Sequence, residues 1–236
     1  DSKIELLGWV GERPGVGIKE PKNAKKLIQE VLANKEKNYF DEPVLMTAFY
    51  RETIKKRRRN VSLSEAVVNV YKRPYTSNRK DAIELYKARK STDYSKLDTV
   101  ALKLQGGPFN TLYVDIMKYP EYVFDAESFA YYQFNFERTT FINDRLIYVI
   151  GFTQHENILE PLYRGKLFVD PVKKTLTSAI YSLNITDRDK AARLFVRKKP
   201  ARVNVWPTEV AYRVDYREKN GKWYYGYSNV LLEFKV

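Results

Sequence analysis

Hydrophobic positions fall into two periods along the chain. From Pro21, Ala24, Leu27, Ile28, Val31 and Leu32 recur at spacings of three and four, and Lys22, Lys25, Lys26, Glu30 and Lys35 fall mostly off that face, which predicts an amphipathic helix over residues 22–37. After Pro43 the period drops to two, with Val44, Met46, Ala48 and Tyr50 opposite Leu45, Thr47, Phe49 and Arg51, as in a strand covered on both faces near its start. A second β run carries Val61, Leu63, Val67, Val68, Val70 and Tyr71, and a third covers residues 82–90. Phe109, Leu112, Tyr113, Ile116 and Met117 then return to helical spacing before Pro120, predicting a central helix over residues 107–118.

The second half reads as three β-hairpins. Tyr132, Phe134 and Phe136 alternate up to Asn143-Asp144, and Leu146, Tyr148, Ile150 and Phe152 alternate away. Residues 163–169 lead into Asp170-Pro171-Val172-Lys173-Lys174, and residues 176–183 return. Val210, Tyr212, Val214 and Tyr216 lead to Asn220-Gly221, the two-residue pair that best fits a tight hairpin turn, before Trp223, Tyr225 and Tyr227. A short helix over residues 187–197, capped near Thr186-Asp187 and carrying Ala191, Leu194 and Phe195, separates the last two hairpins. About nine or ten antiparallel strands and three helices exceed what an open sheet holds without curling. The fold class expected is therefore α+β: one strongly curved antiparallel sheet, an incomplete β-barrel, with helices on its concave face. Residues 1–20 hold four of the ten glycines and read as a linker or approach segment, leaving residues 21–236 as a single domain.

Composition narrows the chemistry. Thirty-four aromatic residues (19 Tyr, 12 Phe, 3 Trp) in 236 exclude a disordered chain, and the absence of cysteine excludes disulfides, thiolate nucleophiles, iron–sulfur clusters and Cys-based zinc sites. No cofactor is expected: Gly15-Val16-Gly17 lacks a third glycine, Gly106-Gly107-Pro108 lacks the Lys-Ser/Thr of a phosphate loop, and a calcium-loop pattern is missing. His155, the single histidine, sits in a polar strand end where a surface role suffices. A glycosidase needs two carboxyls brought together by the fold, with Asp93, Asp98 and Asp115 near the central helix as candidates, but a capping or solvated role is the commoner fate of such residues. The apolar stretches are too short to span a membrane as a helix. The chain begins at Asp1 without a basic-then-apolar leader, so a mature or excised region is expected, with a leader, a lipid-modified cysteine or a preceding domain missing.

A net charge of +13 favours anionic partners, and the run Lys55, Lys56, Arg57, Arg58 and Arg59, placed where a hairpin connection falls, is the candidate anion-binding element. Its alternative role is a solvated turn that discourages sheet association. Base-reading motifs of RNA-binding modules are missing, so no specific nucleic-acid partner is expected.

Glu42 to Thr53 (EPVLMTAFYRET) and Val61 to Val68 (VSLSEAVV) resemble a family of Bacteroidetes envelope proteins of uncharacterised function. Arg89 to Tyr94, Leu104 to Pro108 and Glu160 to Leu167 resemble the region that in those proteins follows a carboxypeptidase-like regulatory domain. The resemblance implies no peptidase. It implies a location in the cell envelope, periplasmic or associated with the outer membrane, and lipid, glycan or other envelope proteins as partners. The order of elements is also similar to the lipoprotein-carrier (LolA-like) half-barrel, whose members cradle acyl chains. That likeness implies an apolar groove walled by Tyr132, Phe134, Phe136, Tyr148 and Phe152 and roofed by Phe109, Leu112, Tyr113 and Ile116. The function expected is a non-enzymatic envelope binding or assembly module with a lipid or other apolar ligand; the alternatives are a glycan-acting enzyme and a binder of anionic polysaccharide or nucleic acid.

Overall fold

The computed structural model describes residues 23–56, 59–93, 101–102, 107–199 and 201–235. The linker expected over residues 1–20 lies outside them, as do Arg57, Arg58 and Asp98.

The N-terminal amphipathic pattern forms two consecutive helices, α1 (Ala24–Ala33) and α2 (Lys35–Asn38). Asn23 caps α1: its side-chain oxygen accepts from the Lys26 amide at 2.9 Å. Ala24, Ile28 and Val31, on the predicted face, enter the main core. Three strands follow, β1 (Val44–Lys56), β2 (Arg59–Lys72) and β3 (Ala82–Thr92), paired antiparallel in that order. The basic run marks the first hairpin connection as expected, with Lys56 opposite Arg59.

Beyond β3 come β4 (Ala101–Leu102), helix α3 (Pro108–Leu112), and two 3-10 turns at Pro120–Tyr122 and Ser128–Tyr131. The remaining elements are β5 (Tyr132–Ile142), β6 (Arg145–Gln154), β7 (Tyr163–Asp170), β8 (Thr175–Leu183), α4 (Arg188–Phe195), β9 (Val196–Lys198), β10 (Trp206–Lys219) and β11 (Lys222–Lys235). Six of these strands form an antiparallel sheet in the order β11-β10-β8-β7-β6-β5, and β4 pairs with β9. The three predicted hairpins are all present. Positive φ at both Asn143 and Asp144, and at both Asn220 and Gly221, gives the left-handed pair that a two-residue turn needs to match strand twist. Asp187 caps α4 by accepting from the Asp189 and Lys190 amides.

Two expectations need correction. The long strands divide between two sheets instead of continuing as one, because β1–β3 pair with their immediate neighbours and the helix-and-turn segment after β3 carries the chain to a separate β meander. The central helix stops at Leu112. Beyond it the backbone finds other partners: the Met117 amide donates to the Tyr216 hydroxyl at 3.1 Å, and Asp115 Oδ1 accepts from the Lys118 amide at 3.2 Å. Helical spacing of apolar side chains was thus a property of a tight turn with buried residues rather than of a continuing helix.

The main core packs α1 against one face of the six-stranded sheet, and within it Phe124 is buried with the rings of Tyr132, Phe134 and Phe152 5.0–5.8 Å from its own. A second cluster, Ala66, Val68, Val70 and Leu112, joins the three-stranded sheet to α3 and to Tyr225 of β11. A third seats Ala191 and Phe195 of α4 on Leu183 and Val210.

Candidate functional site

Two constellations gather charge, and they differ in exposure. The first is internal. Lys72, the last residue of β2, reaches Asp81 Oδ2 at 2.6 Å and Asp115 Oδ2 at 2.8 Å. Asp115 is fully buried, and its carboxylate also accepts from the hydroxyls of Tyr75 and Tyr216, each at 2.9 Å. Asp81 Oδ1 accepts from the Arg73 amide, and the Asp81 amide donates to the Tyr119 hydroxyl. The rings of Tyr75, Tyr119 and Tyr225 surround the ammonium at 5.3–5.8 Å, contributing cation–π attraction. Lys118 lies beside them and donates to the carbonyls of Pro74 and Ser77, both at 2.6 Å.

Burial opposes the Lys72 charge, but Asp115 and Asp81 outweigh it and hold its pKa above the usual lysine value. Burial pushes the phenols of Tyr75 and Tyr216 well above their usual range, with Asp115 adding to the shift. Each ionic partner is met by an opposite charge and by donors, so the cluster is a closed polar lock between the two sheets. Of the carboxylates singled out in the sequence, Asp115 belongs to this lock, and the Asp93 amide donates to the Val61 carbonyl at 2.8 Å.

The second constellation lies on the open face of the three-stranded sheet. Arg51, Glu65 and Arg89 sit directly opposite one another on β1, β2 and β3, so their side chains share one face. Arg51 donates through Nε (2.8 Å) and Nη2 (2.7 Å) to Glu65 Oε1, and Arg89 Nε donates to Glu65 Oε2. Glu65 is only 5% exposed because the two arms cover it, whereas the Arg51 and Arg89 side chains are 61% and 82% exposed. Hydrogen bonds from Arg89 and Arg51 hold the Glu65 carboxyl below the usual glutamate range, outweighing a small desolvation cost. The Arg51 guanidinium also lies over the Phe49 ring, 5.4 Å from its centre. Leu45, Phe49 and Tyr71 are exposed on this face, and Lys87 is exposed on β3 opposite Val67, in the row of Phe49. Lys55 and Arg59 are exposed at the hairpin end.

On the other side of the same sheet, a hollow of about 510 Å³ opens between Tyr50, Glu52, Ser64, Lys90 and the Gly107-Pro108 corner. The Tyr50 hydroxyl donates to Glu52 at 2.9 Å and accepts from the Gly107 amide at 2.8 Å. Glu52 pairs with Ser64 in register, one position from Arg51 opposite Glu65, so the two glutamates project to opposite faces. Another hollow, about 420 Å³, lies over Gly151 on the six-stranded sheet, bordered by Asn135, Arg164, Ser182 and the Lys166–Glu137 ion pair.

The nine residues expected to line an apolar groove are dispersed. Ile116, Tyr132, Phe134 and Phe152 are buried together in the main core, with Phe136 and Tyr148 packed at its margin. Leu112 belongs to the second cluster, the Tyr113 ring packs with Tyr119 and Tyr122, and Phe109 is 49% exposed. Phe124, not singled out in the sequence, occupies the space between the rings. Reading the sequence also passed over Arg51, Glu65, Arg89, Lys72 and Asp81. A charged residue amid the apolar run around Glu65 was the available signal, but its partners depend on strand register.

Among the described residues no group of three or more His, Asp or Glu side chains is arranged to hold a metal ion, and no helix is long and apolar enough to cross a membrane. No protein-family model matches the chain, and no curated protein matches it.

Proposed function

We propose that the chain is a non-enzymatic binding module of the cell envelope, gripping an anionic polymer through the open face of its three-stranded sheet. The observation that carries this reading is Glu65, which fixes two exposed guanidiniums on the strands that flank its own before any ligand arrives. The net charge of +13, with Lys55, Arg59 and Lys87 on the same sheet, adds long-range attraction. Three further features favour an outer surface over an interior or catalytic site. The aromatic side chains first expected to hold a lipid pack against one another. Asp115 is spent on Lys72. Glu65 is held ionised by two arginines, the opposite of what the proton donor of a glycosidase requires. The envelope location rests on the family resemblance of residues 42–53, 61–68, 89–94, 104–108 and 160–167.

Retention on immobilised polyanions across a salt series tests the reading. Binding to dextran sulfate and to a uronate polymer is expected to weaken at least about tenfold from low to physiological salt, with no retention on neutral dextran. Co-purification of a stoichiometric lipid, or hydrolysis of a glycan, with no polyanion binding would overturn it.

A further inference from the structure

Within that reading, on which it rests, we infer that the Arg51–Glu65–Arg89 row is a carboxylate-reading site for a uronate-bearing polysaccharide, with Glu65 as its positioning residue. A guanidinium is a planar fork of five N–H donors that matches a carboxylate in pairs, whereas an ammonium acts as a point charge. Glu65 engages Nε and Nη2 of Arg51 and Nε of Arg89, fixing both planes, and most of each side chain remains in solvent. The Phe49 ring backs the Arg51 plane from a second side.

Arg51 and Arg89 rise from strands two positions apart in the sheet, roughly 10 Å at the backbone, so they can engage carboxylates on separate sugar units of one chain. Next to them the same face offers Thr47, Asn69 and the Tyr71 hydroxyl, which bonds Glu84 at 2.7 Å, and the exposed rings of Phe49 and Tyr71. Hydroxyls, amides and flat apolar rings on an open sheet suit a hydroxyl-rich chain lying across it.

The test uses the full chain and compares polygalacturonate, its carboxyl-reduced form, dextran sulfate and polyglutamate at fixed salt. Polygalacturonate should bind and its reduced form should not. The double substitution Arg51→Lys/Arg89→Lys keeps the charge and should lose at least about tenfold toward polygalacturonate, and less than about threefold toward dextran sulfate. Glu65→Gln makes the protein more positive, so simple attraction predicts tighter binding; positioning predicts a loss of about threefold. In the unsubstituted protein, the Nε–H resonances of Arg51 and Arg89 should shift on titration with polygalacturonate. Lysine variants that bind like the unsubstituted protein, Glu65→Gln binding more tightly, or unmoved resonances would overturn the inference and leave the polyanion reading intact. Polyglutamate competing as well as polygalacturonate would overturn the sugar assignment in favour of an acidic protein segment. No binding even to dextran sulfate would overturn the underlying reading as well.

Discussion

Lys72 Nζ lies 2.8 Å from Asp115 Oδ2, both side chains buried, and this contact ties the end of the three-stranded sheet to the turn that leads toward the six-stranded one. Tyr216 of β10 and Tyr75 complete the carboxylate's shell, so the same few atoms connect β2, the loop after it, the Asp115 turn and the large sheet. A buried pair of this kind is weak as a source of net stability and costly to break, because removing one partner strands a charge.

Asp115→Asn should therefore cost about 3 kcal/mol, and Lys72→Met, which leaves Asp81 and Asp115 without their shared cation, about 4 kcal/mol. The double substitution should cost less than the sum by at least about 1 kcal/mol, since the second change removes a charge the first left unpaired. Urea unfolding of the three variants measures this; strict additivity would show that the contact is not energetically coupled.

Alkaline titration should disclose the same lock. The folded pKa of Lys72 is raised above 10.5, so its contribution is complete below that value and disappears as pH rises through the folded pKa. Tyr39, Tyr75 and Tyr216 act in the same direction: their folded pKa values lie well above 10.0, so folding disfavours the phenolate and loses stability above that pH. Near-ultraviolet phenolate absorbance should show these buried phenols ionising only together with loss of the folded circular dichroism signal. One smooth titration of all tyrosines with the fold intact would contradict the structure.

The filled core makes a contrast between two phenylalanines. Phe124→Ala should cost about 3–5 kcal/mol by opening a cavity among Tyr132, Phe134 and Phe152, whereas Phe109→Ala, at a half-exposed position, should stay within about 0.5 kcal/mol. Thermal unfolding of both variants checks it, and equal costs would argue that the rings border open space.

Gly165 and Gly151 should respond differently to a methyl group. A Cβ at Gly165 would lie 2.2 Å from the Ile180 carbonyl oxygen, which is backbone in a paired strand and cannot move aside, so Gly165→Ala should cost about 3 kcal/mol. A Cβ at Gly151 meets the end of the Glu137 side chain at 2.6 Å, so Gly151→Ala should cost less than about 1 kcal/mol and release Glu137 from Lys166. Chemical denaturation gives the energies, and the Lys166 ammonium resonance reports the broken pair.

Much of the local structure was legible in the chain because it follows from short-range physics. The Asn143-Asp144 and Asn220-Gly221 turns, the alternation around them, and the Asp187 cap each depend on a few adjacent residues whose backbone preferences are strong. The basic hairpin after β1 and the buried face of α1 were readable for the same reason. The helix expected over residues 107–118 failed where a distant residue intervened: Tyr216 takes the Met117 amide, and Asp115 turns to Lys72. Periodicity records which side chains are buried but not which backbone group supplies the hydrogen bond. The division into two sheets and the placement of Arg51 and Arg89 on either side of Glu65 depend on register and on contacts between residues far apart in sequence. A shift of one residue in either pairing would send that strand's arginine to the face opposite Glu65, so the sequence determined that the strands exist and carry charge, while tertiary pairing alone decided that those charges meet.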